Sequence, residues 1–411
     1  MRARNSKPST SPLKLSALVW LSIAIFSAIG WSAAGQQPGT QQQQRPRRAT
    51  NTNNKTDANQ NSSGEEVGEG DVIRVETQLV SVPAIVTNSQ GRPVPGLRAD
   101  NFVVYEDGQK QTIANFGTTE ASFEIALLLD TSGSTREDVG LIQQAANAFI
   151  DALRPGDRVA IVAFNTAVQD GATLAKVEVL STLTSDRNAL RKAMGNLGAS
   201  SGTPFYDALE RVADEIFRAP ARAEVRGRRA VVALTDGVDS SSNSDYDVAR
   251  AKLLRADVAT YFIQVNTEDF VEDRLLKDCQ DDGRLTLSPK QLQRYRRIFL
   301  PGAESEAVVD FCQMGQFERM DVSRQLYNLA RREMNDLARA AGGRNFVAAN
   351  LQDARAAFAR VAADIGTQYS LGYYPTKKVR DGKFRAIHVE VRGVSGKTEV
   401  RAREGYYAPK Q

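Results

Sequence analysis

The stretch Leu127-Leu128-Leu129-Asp130-Thr131-Ser132-Gly133-Ser134 decides the fold of this 411-residue chain, because an apolar run stops there at an acidic, hydroxyl-rich turn. A second apolar run, Val231-Val232-Ala233-Leu234, stops in the same way at Thr235-Asp236-Gly237. Short apolar runs bounded by turn residues are typical of strands that are buried on both faces. Ligands bind beyond the carboxyl ends of such parallel strands, so we expect Asp130 and Asp236 to meet at one edge of a sheet.

Around these two apolar runs, predicted buried strands alternate with amphipathic helices across residues 123–366. Strands are predicted at 124–129, 158–164, 229–234 and 258–265, and helices at 137–153, 205–217, 245–255, 323–341 and 353–364. This alternation predicts an α/β fold with a doubly wound, mainly parallel sheet, of the Rossmann-like kind. Residues 266–320 interrupt the pattern with a polar segment that we interpret as an insertion in a crossover connection.

Short β-strands are predicted on both sides of the α/β region, at about 73–86, 102–105 and 111–116 before it and at 369–374, 384–391 and 399–403 after it. Neither flank has enough strands for a stable sandwich, whereas the two together supply five or six. We therefore expect residues 71–122 and 367–411 to form one small antiparallel β-domain into which the α/β domain, residues 123–366, is inserted.

The N-terminal residues have the pattern of an export signal. Basic residues precede an uncharged stretch at 15–31, and the small residues Ser32-Ala33-Ala34 follow it. This resembles a signal peptide, residues 1–34, with an uncleaved membrane anchor as the alternative. Both readings export the remainder to a periplasm, a cell surface or the medium, and membrane contact is expected only through the uncleaved segment. Residues 35–70 are rich in Gln and Asn and predict a disordered linker.

Composition excludes several classes of function. The net charge is only +4, and the basic residues form no aromatic-rich stripe, so nucleic-acid binding has no support. The single histidine, His388, shares the polar face of a predicted strand with Glu390 and Arg392, which excludes multi-histidine zinc sites and disfavours a catalytic triad. The two cysteines, Cys279 and Cys312, predict one disulfide in an oxidising compartment, or else two reduced thiols.

Five oxygen-bearing side chains form a candidate metal site: Asp130, Ser132, Ser134, Thr203 and Asp236. Hard oxygen ligands that include few charges suit Mg²⁺, with Mn²⁺ and Ca²⁺ as alternatives. A simpler interpretation is that Asp130 and Ser134 cap the helix that follows. Capping explains neither Thr203 nor Asp236.

The Asp-x-Ser-x-Ser pattern at 130–134 resembles the metal-ion-dependent adhesion site of the von Willebrand factor type A (VWA) domain, and Thr203 and Asp236 match its fourth and fifth elements in order. The flanks resemble a bacterial subgroup of secreted VWA-related proteins. Three segments carry that second resemblance: Asn101-Phe102-x-Val104-Tyr105-Glu106-Asp107-Gly108, Leu371-Gly372-Tyr373-Tyr374-Pro375 and Gly405-Tyr406-Tyr407. The cysteine-bearing insertion departs from the compact VWA pattern.

The resemblance implies that the hydroxyls of Ser132, Ser134 and Thr203 coordinate Mg²⁺ directly, and that Asp130 and Asp236 do so directly or through water. A partner protein would then supply an Asp or Glu carboxylate to the open coordination position, which implies adhesion or assembly without catalysis. One alternative is a metal-dependent hydrolase or phosphatase with Asp130 as the nucleophile. The sequence has no P-loop, and Ser132 stands where such enzymes usually carry a second carboxylate. Another alternative is a structural module whose metal site is not used.

Overall fold

The computed structural model describes residues 79–118, 121–132, 138–169, 172–219, 221, 225, 227–275, 287–302 and 314–410. Several predictions fall on residues outside these ranges: the export signal, the Gln/Asn-rich linker, the start of the first predicted strand at about 73–78, Ser134, and the Cys279–Cys312 disulfide. Within the ranges, no helix is both long enough and apolar enough to cross a membrane.

The chain alternates between strands and helices in the order that the sequence pattern indicates. The strands are β1 (Val80–Asn88), β2 (Phe102–Glu106), β3 (Gln109–Gln111), β4 (Ile113–Gly117), β5 (Glu124–Leu129), β6 (Arg158–Gln169), β7 (Ala172–Thr184), β8 (Arg229–Thr235), β9 (Ala259–Val265), β10 (Arg344–Ala348), β11 (Tyr369–Tyr373), β12 (Phe384–Val391), β13 (Thr398–Ala402) and β14 (Gly405–Tyr407). The helices are α1 (Val139–Ala152), α2 (Arg187–Met194), α3 (Phe205–Arg211), α4 (Tyr246–Arg255), α5 (Glu268–Leu275), α6 (Pro289–Phe299), α7 (Gln316–Ala340) and α8 (Ala354–Gly366). A π-helical turn, Val212–Ile216, continues α3.

The central sheet has the strand order β10-β9-β8-β5-β6-β7, and every neighbouring pair is parallel except β6 and β7. The α/β fold class is therefore confirmed. Side chains of β5 alternate between two cores: Ile125, Leu127 and Leu129 pack with α1 and α8, whereas Ala126 and Leu128 pack with α3 and α7. Helices thus cover both faces. Strand β5 lies between β6, which follows it in the chain, and β8, which comes later. The strand order therefore reverses at β5, and its carboxyl end is a topological switch point.

The two flanks combine into antiparallel sheets, as the sequence predicts. One sheet has the order β13-β1-β11-β4 and the other β14-β12-β2-β3, so each contains strands from before and after the α/β domain. Their inner faces share one apolar core, in which Val82, Val104, Leu371 and Val389 are buried. The strand predicted at 111–116 is confirmed as β4, which starts two residues later, because Gln111 ends β3 and the chain changes sheet between β3 and β4.

The predicted insertion is largely helical where it is described. Helices α5 and α6 and the first turns of α7 bury a separate apolar cluster, which includes Leu275, Leu287, Val322 and Tyr327 and which we call the insertion core. Helix α7 begins at Gln316, seven residues before its predicted start, because Met320 and Val322 pack into this cluster and extend the apolar stripe.

Candidate metal centre

Asp130 lies directly after β5 and is only 2% exposed. Its backbone N–H donates to the carbonyl of Leu234 in β8 at 3.0 Å, which extends the strand pairing by one residue. Its carboxylate accepts from the backbone N–H of Ser132 at 3.0 Å and from the hydroxyl of Thr235 at 2.6 Å. The turns that end the two apolar runs are therefore joined through one buried carboxylate.

Thr203 reaches the same edge through hydrogen bonds between three loops. The N–H of Ser200 donates to the carbonyl of Thr131 at 2.8 Å. The N–H of Thr203 donates to Oγ of Ser240 at 2.8 Å, and the N–H of Ser240 donates to the carbonyl of Thr203 at 3.0 Å. Thr203 is 5% exposed. The loop that carries Thr203 is thus fastened to the turns that carry Asp130 and Asp236.

Asp236 has hydrogen-bond donors on both of its carboxylate oxygens. Oδ1 accepts from the N–H of Val238 at 3.0 Å, and Oδ2 accepts from the hydroxyl of Thr267 at 2.7 Å. The oxygen of Thr267 also lies 2.7 Å from the hydroxyl of Tyr327. Since the proton of Thr267 points to the carboxylate, Tyr327 is the donor in that second contact. Asp236 itself is 5% exposed.

Gly237 and Asp239 shape the turn after Asp236. Gly237 has a φ of +78°, a conformation that glycine adopts without strain, and a Cβ there would lie 2.5 Å from Cε of Met334. The carboxylate of Asp239 accepts from the N–H of Phe205 at 2.8 Å, at the start of α3. This side chain caps a helix from a distant loop and so links the turn to the segment that follows Thr203.

The electrostatics of the edge favour a bound cation. Burial, together with the negative charge of Asp236, raises the pKa of Asp130 to about 7, even though the hydrogen bonds from Ser132 and Thr235 lower it. Burial also raises the pKa of Asp239 to about 6. Two buried carboxylates that repel each other are stabilised by a divalent cation placed between them.

The donor set fits a hard cation. In the described ranges, no group of three or more His, Cys, Asp or Glu side chains could hold a metal ion, so a cation here must also draw on hydroxyl oxygens. The structure brings Asp130, Ser132, Thr203 and Asp236 to one edge, and these offer two carboxylates and two hydroxyls. This set suits Mg²⁺ and lacks the nitrogen and sulfur ligands that zinc prefers.

Residues 125–238, which include these four side chains, match the family model of the von Willebrand factor type A domain. The chain contains a VWA domain. Domains of this family generally mediate protein–protein interactions. No curated protein matches the chain.

The chain is also similar to several solved structures. BatB from Bacteroides thetaiotaomicron is 13% identical, with 59% of this chain and 98% of that one covered and a TM-score of 0.34. Proximal thread matrix protein 1 from the mussel byssus is 12% identical, with coverages of 71% and 50% and a TM-score of 0.38. A von Willebrand factor type A protein from Catenulispora acidiphila is 13% identical, with coverages of 80% and 74% and a TM-score of 0.36. Likenesses this distant carry no information about ligands or partners.

Sequence reasoning missed two residues that support Asp236, Thr267 and Tyr327. Thr267 could have been found by the rule that found the two aspartates, because it is the second residue after the buried strand β9. Tyr327 has no comparable signal, since it lies in the middle of the amphipathic helix α7. Its role depends on how that helix packs.

Proposed function

We propose that this chain is an exported, non-catalytic protein-binding module, for adhesion or assembly, that holds Mg²⁺ at this edge and captures an Asp or Glu side chain of a partner protein. One observation carries the proposal: two buried carboxylates repel each other beside two hydroxyl residues at the switch point of a VWA sheet. Export remains an inference from the N-terminal sequence pattern.

The residues have distinct roles in this proposal. Asp130 and Asp236 would supply the negative charge, and Ser132, Ser134 and Thr203 would supply neutral oxygens. Because the five proposed ligands carry only two negative charges, a bound Mg²⁺ would offer an incompletely neutralised coordination position to a carboxylate. The hydrogen bonds that fix Thr203 and Asp236 keep the protein ligands in place before a partner arrives, which reduces the entropy lost on binding.

The proposal is tested with immobilised peptides that contain Asp or Glu and with matched peptides that contain Asn or Gln. We expect the protein to be retained on the acidic peptides in Mg²⁺ and released by EDTA, with little retention on the amide peptides. Retention that EDTA does not change, or that the amide peptides share, would contradict carboxylate capture. Release of phosphate from p-nitrophenyl phosphate by the purified protein would instead support the hydrolase alternative.

Replacing Thr203 with alanine should weaken retention on the acidic peptides at least ~10-fold, because a neutral ligand is lost. The melting temperature in EDTA should stay close to that of the parent, since Thr203 is fastened through its backbone rather than through its hydroxyl. Thr203→Ser keeps the hydroxyl and should retain most of the binding. If Thr203→Ala binds as the parent does, Thr203 is not a ligand.

The stabilisation by Mg²⁺ should grow with pH. In the metal-free protein the pKa of Asp130 is about 7, against 3.8 for an unperturbed Asp, so below pH 7 a proton occupies a group that Mg²⁺ needs. Apparent affinity should fall up to ~10-fold per pH unit below 7. In EDTA this carboxyl should also make the fold less stable as pH rises from about 4 to 7, because the folded state binds the proton more tightly.

Melting curves at pH 5.5 and pH 8, each in EDTA and in Mg²⁺, measure this effect. We expect a small increment in Tm at pH 5.5 and a larger one at pH 8. Equal increments at the two pH values would show that no titrating carboxylate binds the metal.

A further inference from the structure

The carboxylate of Asp236 is the end of a chain of hydrogen bonds that begins in the insertion core, at Tyr327 of α7. Tyr327 donates to Thr267 over 2.7 Å, and Thr267 donates to Oδ2 of Asp236 over 2.7 Å. All three residues are buried, with Tyr327 4% exposed and Thr267 7% exposed. Burial and the charge of Asp236 raise the pKa of Tyr327 well above its usual range, so its hydroxyl keeps its proton and remains a donor.

The residue that starts this chain belongs to the insertion core. Tyr327 packs there with Val271, Leu275 and Val322, which come from α5 and from the first part of α7. Val238, whose backbone N–H donates to the other oxygen of Asp236, is partly buried against the same cluster. The N–H of Val238 and the hydroxyl of Thr267, which both donate to the Asp236 carboxylate, are thus each next to a residue of the insertion core.

Helix α6 holds the rest of the same turn. The hydroxyl of Ser288, its N-cap, donates to the carbonyl of Ser240 at 2.6 Å. The ammonium of Lys290 donates to the carbonyls of Ser241 and Ser242, each at 2.9 Å. Since Ser240 also accepts from the N–H of Thr203, α6 is connected to two of the proposed ligand loops.

We infer that Thr267 and Tyr327 are positioning residues for the metal-binding carboxylate of Asp236, and that the packing of the insertion core thereby sets the Mg²⁺ affinity of the site. This inference rests on the proposed function. A carboxylate whose oxygens are already fixed loses little freedom when it binds a cation, and outer hydrogen bonds hold a ligand in its binding orientation. The coupling is reciprocal, so Mg²⁺ at the site must also stabilise the insertion core.

Four variants test the positioning role through the Kd of Mg²⁺, measured by calorimetry. Thr267→Val keeps the shape of the side chain but removes the hydroxyl, and should weaken binding ~10- to 100-fold. Thr267→Ser keeps the hydroxyl, and its Kd should stay within about threefold of the parent's.

Tyr327→Phe should weaken Mg²⁺ binding about 3- to 10-fold, because Thr267 keeps its bond to Asp236. Tyr246→Phe is the matched control. Like Tyr327, Tyr246 makes a hydrogen bond through its hydroxyl, but it donates to Asp336 of α7 and not to a residue that contacts Asp236. This variant should bind Mg²⁺ as the parent does.

Amide hydrogen exchange tests the reciprocal effect without relying on affinity. Adding Mg²⁺ to the parent should slow exchange in the turns after β5 and β8 and also in α5, α6 and the first half of α7. In Tyr327→Phe, saturated with Mg²⁺, protection should persist in the turns and decrease in the insertion helices. Because this measurement uses only the parent and Tyr327→Phe, it still tests the inference if Thr267→Val does not fold.

The outcomes separate the two claims. A parent protein that binds no Mg²⁺ and shows no protection of the turns overturns the proposed function itself. A parent that binds Mg²⁺, protects only the turns, and is matched in Kd by Thr267→Val and Tyr327→Phe leaves the metal site standing and overturns the inference.

Discussion

Asp130→Asn should abolish the rise in melting temperature that Mg²⁺ produces, and should leave the melting temperature in EDTA at pH 8 equal to or above that of the parent. The amide has the shape of the carboxylate and can still accept one hydrogen bond from Ser132 or Thr235. It carries no charge to attract the metal or to repel Asp236. The substitution therefore removes metal binding and, in the metal-free protein, an unfavourable buried charge.

The expected size follows from the binding equilibrium. A ligand at 100 times its Kd that binds only the folded protein stabilises it by about 2.7 kcal/mol. In a folded region of this size that corresponds to a rise in Tm of about 5 °C. Loss of a charged ligand should weaken Mg²⁺ binding more than ~100-fold, which removes essentially the whole increment.

Differential scanning calorimetry in EDTA and in Mg²⁺ makes the measurement. Asp151→Asn is a suitable control, because this aspartate lies in the same domain on α1 with its side chain 52% exposed, in a surface pair with Arg191. It should keep the full response to Mg²⁺. A persistent increment in Asp130→Asn would mean that Mg²⁺ acts somewhere other than the turn after β5.

The α/β fold was readable from the sequence because its parallel strands are continuous apolar runs. The prediction for β5, Glu124–Leu129, agrees with the structure at both ends, and that for β8 ends one residue early. Strand β7 has a different sequence pattern. It is the edge strand that pairs antiparallel with β6, and its residues Val177 and Val179 alternate with charged residues. Its half-exposed pattern lacks the continuous apolar run that marks the buried strands.

The candidate site was partly readable for a similar reason. Asp130 and Asp236 end buried strands, and strand ends meet at one edge of a parallel sheet whatever the details of packing. The contact between Thr267 and Tyr327 depends on the position of α7 above that edge, which the insertion core determines. Helical periodicity shows that Tyr327 faces inward, but it does not show which polar group it meets there.

Glu106→Ala should destabilise the β-domain by about 3–5 kcal/mol. The carboxylate of Glu106 is 2% exposed and accepts from the hydroxyl of Tyr373 at 2.7 Å and of Tyr406 at 3.1 Å. Hydrogen bonds to a charged group contribute about 1.5–3 kcal/mol each, and truncation leaves two buried hydroxyls without this acceptor. Glu106→Gln retains one acceptor oxygen and should lose less, about 1–2 kcal/mol.

Denaturant unfolding followed by circular dichroism gives the difference, and Glu390→Ala provides the control. Glu390 lies on β12 of the same sheet, but its side chain is 39% exposed and pairs with Arg392 at the surface. Its removal should leave the unfolding midpoint close to that of the parent. If Glu106→Ala is no more destabilising than Glu390→Ala, the buried carboxylate does not hold the flanks together.

The Glu106 contacts also explain why the three flank segments that resemble the secreted VWA-related subgroup occur together although they lie far apart in the sequence. Tyr373 and Tyr406 lie 267 and 300 residues from Glu106 along the chain, and each comes from a different one of those segments. The carboxylate joins strands that precede the VWA domain to strands that follow it, so its loss should loosen the β-domain rather than the metal edge. Hydrogen exchange of Glu106→Ala should accordingly rise in β2, β11 and β12, while Mg²⁺ should still protect the turns after β5 and β8.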